Sequence, residues 1–164
     1  MVGNGAPRWT AGWSNEFRWH RFTGYALVDH QLGGLVRAGT WAIYNGTGNA
    51  ADYDDPGPGG MPIGQVRAQN ATAVTRIYMQ NATFTKLREM SVSWELGAWR
   101  ASRDAVPRAL RVSVSGRNLR TWARCHCADP EFDDFASLRT LQRNRELGAY
   151  PPSRTFWITL QTEW

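Results

Sequence analysis

The feature that most constrains this chain is a two-residue alternation of apolar and polar side chains, repeated in separate segments, with no long apolar run between them. Across residues 8–20, Trp9, Ala11, Trp13, Phe17 and Trp19 fall on one parity, and Thr10, Gly12, Ser14, Glu16, Arg18 and His20 on the other. Side chains of a strand point to opposite faces of a sheet in turn, so this pattern builds a strand with one oily face. The alternation returns where Met90, Val92, Trp94 and Leu96 oppose Ser91, Ser93 and Glu95, and where Leu110, Val112 and Val114 oppose Arg111, Ser113 and Ser115. At the end, Phe156, Ile158, Leu160 and Trp164 oppose Thr155, Thr159, Gln161 and Glu163, with Trp157 out of step. A further strand over Thr23 to Gln31 completes a first hairpin, with ambiguous parity. No segment approaches the roughly twenty apolar residues of a membrane helix, which excludes a helical membrane protein. Membrane strands need only about nine to eleven residues and escape hydropathy averages.

Composition agrees with an all-β reading. Nine Trp and sixteen Gly among 164 residues suit sheets better than helical bundles, and 42% apolar content argues against disorder. The net charge of +5 raises nucleic acid as a partner, yet the Arg residues are scattered among acidic ones with no basic run, so no nucleic acid is expected. The opening MVGNGAPRWTAGW lacks the charged start and apolar core of a secretion signal.

A soluble antiparallel sandwich alternates too, because one of its faces meets a core and the other water. Link lengths separate the two architectures. The first and third connections, near His20 to Phe22 and Gly97 to Pro107, are short; the second and fourth, about Gly33 to Ala82 and Ala123 to Pro152, are long. Alternating short turns and long loops is the habit of a transmembrane barrel, and puts both long links on the outer side. The fold expected is therefore an antiparallel transmembrane β-barrel segment of about five strands. Within the first long link, Asp54, Asp55, Pro56, Gly57, Pro58, Gly59 and Gly60 break regular structure and read as a solvated loop.

Few residues suggest chemistry. Cys125, His126 and Cys127 have metal-ligand residue types, but a closed site needs further ligands, and a local disulfide or free loop thiols are the competing readings. His20 and His30 are the other histidines, and on the barrel reading His20 lies at the opposite end. No nucleophile elbow, zinc-protease helix or phosphate-cradling loop occurs, so no enzyme, cofactor or metal is expected. Clustered Trp side chains would also suit a soluble carbohydrate-binding β-sandwich module. Against that, Trp9, Trp13, Phe17 and Trp19 share one strand face, as lipid-contacting girdles do.

Four blocks in order resemble the C-terminal part of SusC/RagA-type TonB-linked outer-membrane proteins, the TonB-dependent receptors. They are VGNGAPRWTAGWSNEFRWHRFTGYALVDHQLGG (residues 2–34), NATFTKLREMSVSWEL (81–96), LRVSVSGRNLRTW (110–122) and YPPSRTFWITLQTEW (150–164). The third carries Gly116, Arg117, Asn118, Leu119 and Trp122, followed by Asp129, Pro130 and Glu131. The chain departs from the family in ending on Trp164, where Phe is usual, and in placing Cys-His-Cys where an aromatic and Gly often stand.

That resemblance implies that residues 1–164 are the C-terminal part of a larger receptor barrel, with the plug domain and earlier strands absent. It implies a place in the outer membrane of a Gram-negative bacterium and a part in nutrient uptake, of glycans or peptides. Outer-membrane lipids, the barrel assembly machinery, TonB and a SusD-like lipoprotein are the partners it implies. Phe156, Ile158, Leu160 and Trp164 would carry the assembly signal, as the family's closing strand does. Five strands alone leave two unpaired edges.

Overall fold

The computed structural model describes residues 3–71, 75–96, 109–131, 145–148 and 150–163. The chain divides into two compact units, each drawn from separate stretches of sequence.

One unit is an open five-stranded sheet. Its strands are β1 (Trp9–Trp19), β2 (Phe22–Leu32), β5 (Phe84–Glu95), β6 (Ala109–Ala123) and β8 (Thr155–Glu163), in the spatial order β1-β2-β5-β6-β8. Strands neighbouring in this sheet are consecutive among its members, the layout of a meander. β1 and β2 meet at a two-residue turn, which only antiparallel strands can share. His20 opens that turn with φ 54°, a left-handed conformation that His adopts more readily than most residues. The Glu95 amide donates to the Arg21 carbonyl at 2.9 Å, so the first turn lies beside the end of β5. β6 and β8 are antiparallel, with Val112 opposite Leu160, Val114 opposite Ile158 and Ser115 opposite Trp157.

All five strands expected from the alternation are present. Two are longer than expected: β5 begins at Phe84 and β6 runs on to Ala123. Asn118, with φ 53°, sits inside β6 just past its last registered pair, Arg117 with Thr155. A left-handed residue there breaks the two-residue rhythm, which is why simple alternation stops short of it. The third connection lies largely outside the described residues.

The long links differ most from a loop reading. Residues between β2 and β5 form β3 (Leu35–Ala38), α1 (Gly39–Thr47), α2 (Ile63–Ala71) and β4 (Met79–Asn81), and the later link contributes β7 (Arg145–Glu146). β3 is the middle strand of a second sheet, antiparallel to β4 and parallel to β7. The Pro and Gly run does break regular structure, as expected: it holds one short turn of helix at Pro58–Gly60 and a single bridge from Pro56 to Pro62.

A small core sits in this second unit, around Val36, Ala38, Tyr78 and Ala82. Its polar anchor is Glu146, which is fully buried. The Thr40 hydroxyl donates to Glu146 Oε1 at 2.6 Å, and the Gly148 amide donates to Thr40 Oγ1 at 2.8 Å. The first turn of α1 has no side-chain cap of its own, so a carboxyl from 106 residues away receives its donors. Gly39 makes the approach possible, because a Cβ there would stand 2.5 Å from the Glu146 carbonyl oxygen.

Replacing Thr40 by Val should therefore leave a buried carboxyl short of a donor and cost about 1–3 kcal/mol locally. Hydrogen exchange of the α1 amides is expected to accelerate roughly 5- to 100-fold. Unchanged exchange would show that Thr40 does not hold the helix to the β7 strand.

Candidate functional site

The surface that stands out is one whole face of the five-stranded sheet. Trp13, Phe17 and Trp19 on β1, Phe22 on β2, Met90, Val92 and Trp94 on β5, Val114 on β6, and Phe156, Ile158 and Leu160 on β8 are all exposed. Exposure reaches 76% for Ile158 and 68% for Phe156, values far from those of core residues. For β6 and β8 the strand register shows the shared face: Val112, Val114 and Gly116 pair directly with Leu160, Ile158 and Phe156. At the turn end, Phe22 and Trp94 stack with centroids 5.5 Å apart. Soluble monomers rarely show contiguous apolar patches beyond a few hundred Å², so such a face requires an apolar neighbour.

The opposite parity of β5 and β6 carries charge and hydroxyls. Arg117 pairs with Glu89 at 3.0 Å, and Arg111 pairs with Glu95. These pairs are partly or well exposed, so each adds little stability; what they establish is that this face is hydrated. Trp157, out of step in the sequence pattern, pairs with Ser115 and lies on this polar face under the Arg117 guanidinium, 5.5 Å from the ring centre. Its placement beside Arg117 accounts for the exception.

Of the sequence-predicted assembly residues, Phe156, Ile158 and Leu160 fall together on the apolar face of the edge strand β8, and Trp164 lies outside the described residues. The outer edges of β1 and β8 have no strand beside them among the described residues.

In the second unit the side chains converge on Trp41 of α1. The Arg67 guanidinium lies 4.8 Å from its ring centre, Tyr78 meets it edge-on at 5.4 Å, and His126 stacks on it at 5.4 Å. Arg67 holds Asp52 with two bonds of 2.8 and 2.9 Å and reaches Asn45 Oδ1 at 3.2 Å. Cys125 and Cys127 are joined by a disulfide, with Cα atoms 5.3 Å apart. His30 Nδ1 lies 2.7 Å from Thr85 Oγ1, within β2 and β5. Among the described residues no group of three His, Cys, Asp or Glu side chains is arranged to hold a metal ion. The Trp41 cluster had no signal in the sequence, because its members are brought together only by tertiary folding.

No protein-family model matches the chain. The TonB-dependent receptor P3 of Formosa agariphila is 23% identical over 169 residues, an alignment that spans 98% of this chain and 17% of that receptor. Among solved structures, the RagAB peptide importer in its 'open-open' state matches with a TM-score of 0.62 and 16% identity, over 97% of this chain and 17% of the importer chain. At that identity the likeness is one of fold, and it runs through nearly the whole chain. This chain thus spans 17% of the length of the receptor and of the importer chain. Neither name is that of an enzyme.

Asp52 offers a pH handle on the second unit. Its bonds to Arg67 hold the carboxyl below the usual aspartate range, against a smaller opposing effect of burial. A carboxyl lowered in the folded state stabilises above its unfolded pKa, about 3.9, and loses that contribution as pH falls through the folded value. Asp52→Asn should destabilise the unit at neutral pH, with the difference from wild type shrinking below about pH 4. Proteolysis of the α1 to α2 segment across pH measures this, and a difference that does not change with pH would remove Asp52 from the account.

Proposed function

We propose that this chain forms wall and extracellular loops of a TonB-dependent outer-membrane transporter of the SusC/RagA type. The observation that carries the proposal is the uncovered apolar face across five strands, backed by a hydrated face. Lipid is the neighbour that suits the first, and the lumen of a barrel suits the second. A carbohydrate-binding sandwich would cover its apolar face with a second sheet, and the chain's likeness to a receptor and an importer does not favour that alternative.

Five strands do not close a barrel, and unpaired edges are not tolerated in hydrocarbon. On this reading residues 1–164 are the C-terminal strands of a larger barrel whose earlier strands flank β1 and β8. The short turns face the periplasm, and residues 33–82 and 123–152 face the cell exterior. In the whole transporter, TonB would act on a plug domain and a SusD-like lipoprotein would cover the mouth. The cargo would be a glycan or a peptide too large for passive pores. The wall residues serve by satisfying every backbone group while presenting apolar side chains to lipid.

Neighbouring residues of β8 test the membrane reading. Ile158→Arg places a charge on the lipid face and should cost about 2–4 kcal/mol near the midplane, seen as loss of folded barrel in the outer membrane. Thr159→Arg points to the lumen and should insert at near wild-type levels. Equal tolerance of the two would sink the proposal.

The closing strand also serves as the assembly signal on this reading, with Phe156, Ile158, Leu160 and Trp164 read by the barrel assembly machinery. Deleting Trp164 should sharply lower surface levels of the transporter, measured by antibody on intact cells. Undiminished surface levels would take the signal away from this strand.

A further inference from the structure

A cavity of about 440 Å³ opens among the segments that form the second unit. Its polar lining includes Asn4, Arg8, Asn81, Thr83 and Arg124, and no Asp or Glu among the described residues takes part. The volume falls within the range of small-molecule sites.

The hydrogen bonds around this cavity sort its polar atoms by sign. Asn4 Oδ1 accepts from the Ala6 amide at 2.9 Å, Asn81 Oδ1 accepts from the Thr83 amide at 2.9 Å, and Thr83 Oγ1 accepts from the Gly33 amide at 2.9 Å. Each side-chain oxygen is therefore engaged by backbone. Each of these oxygens has one of its two lone pairs taken up, so the donors of the lining, two amide NH₂ groups, a hydroxyl hydrogen and two guanidinium groups, outnumber the acceptor sites left. Neither Arg8 nor Arg124 has an acidic side-chain partner among the described residues. Gly33, at φ 79°, admits the Arg8 stem, since a Cβ there would meet Arg8 Cγ at 3.1 Å. Leu32 and Leu35 supply an apolar wall.

A cavity rich in donors, with two guanidinium groups that have no acidic partner among the described residues, suits negative charge. We propose that it binds an oxyanion, a carboxylate or sulfate group carried by a small polar ligand. Planar guanidinium forks match the paired oxygens of such a group, and the Asn and Thr donors complete its hydration shell. This inference rests on the cavity alone and does not depend on the membrane reading.

Calorimetric titration of the full chain in detergent provides the test, using sulfate, glucuronate against glucose, and an acetylated dipeptide with a free against an amidated C-terminus. The expected result is binding of sulfate and of the charged member of at least one pair, with the neutral member weaker by 10-fold or more. Preference for glucuronate or for the dipeptide tells whether an acidic sugar or a peptide end is the source of the anion. Arg124→Gln and Arg8→Gln should each weaken binding about 10- to 100-fold, and Arg124→Lys should restore part of it. Circular dichroism identifies any variant that has unfolded, and the affinity is then judged on the remaining two. Equal affinity for charged and neutral members, affinities unchanged in the folded variants, or no heat with any anion would overturn the proposal.

Discussion

An apolar face that crosses five strands is the constraint on which the rest of the sheet depends. Burying such side chains is worth about 25 cal/mol per Å² of apolar surface, so leaving Phe17, Ile158 and Leu160 in water would forfeit several kcal/mol. The energy is recovered only if something apolar lies against them. A second sheet or a lipid phase can do this, and each dictates what happens at the edges. A sandwich leaves its edge strands in water, where they can be managed by charge or by shortness. A sheet in lipid must pair its edges, because unsatisfied amides there cost several kcal/mol each. β1 and β8, the edge strands among the described residues, are long and carry exposed Trp, Phe and Ile, and they lack the brevity of a water-facing edge.

The two faces of the sheet also differ in chemistry. Ion pairs such as Arg117 with Glu89 survive on the face where water screens them and would be prohibitive on the other. Trp157 shows that the division follows register and charge rather than hydrophobicity, since an indole sits over there with Arg117 on it. Aromatic residues thus appear on both faces for different reasons, as apolar contact on one and as a partner for a cation on the other.

Long links add a unit with a core of its own. Its core is small, and polar contacts do much of the positioning: Glu146 receives Thr40, and Arg67 clasps Asp52 above Trp41. A structured loop region can hold donors in place for a ligand, where a solvated loop would lose the entropy of ordering them.

The sequence by itself determined the five strands of the large sheet and the oily side of four of them, because the two-residue period is local and a one-residue slip would turn every apolar side chain the wrong way. Trp9 to Trp19, Met90 to Leu96 and Phe156 to Leu160 could each be read without knowing their neighbours. Tertiary structure alone decided the place of Trp157 and the order within the links. Glu146 meets Thr40 across 106 residues, and neither position differs in local pattern from other polar loop residues. The donor cavity was hidden for the same reason. Asn4, Arg8, Asn81, Thr83 and Arg124 come from distant segments, and their excess of donors emerges only once backbone amides have bonded the Asn and Thr oxygens.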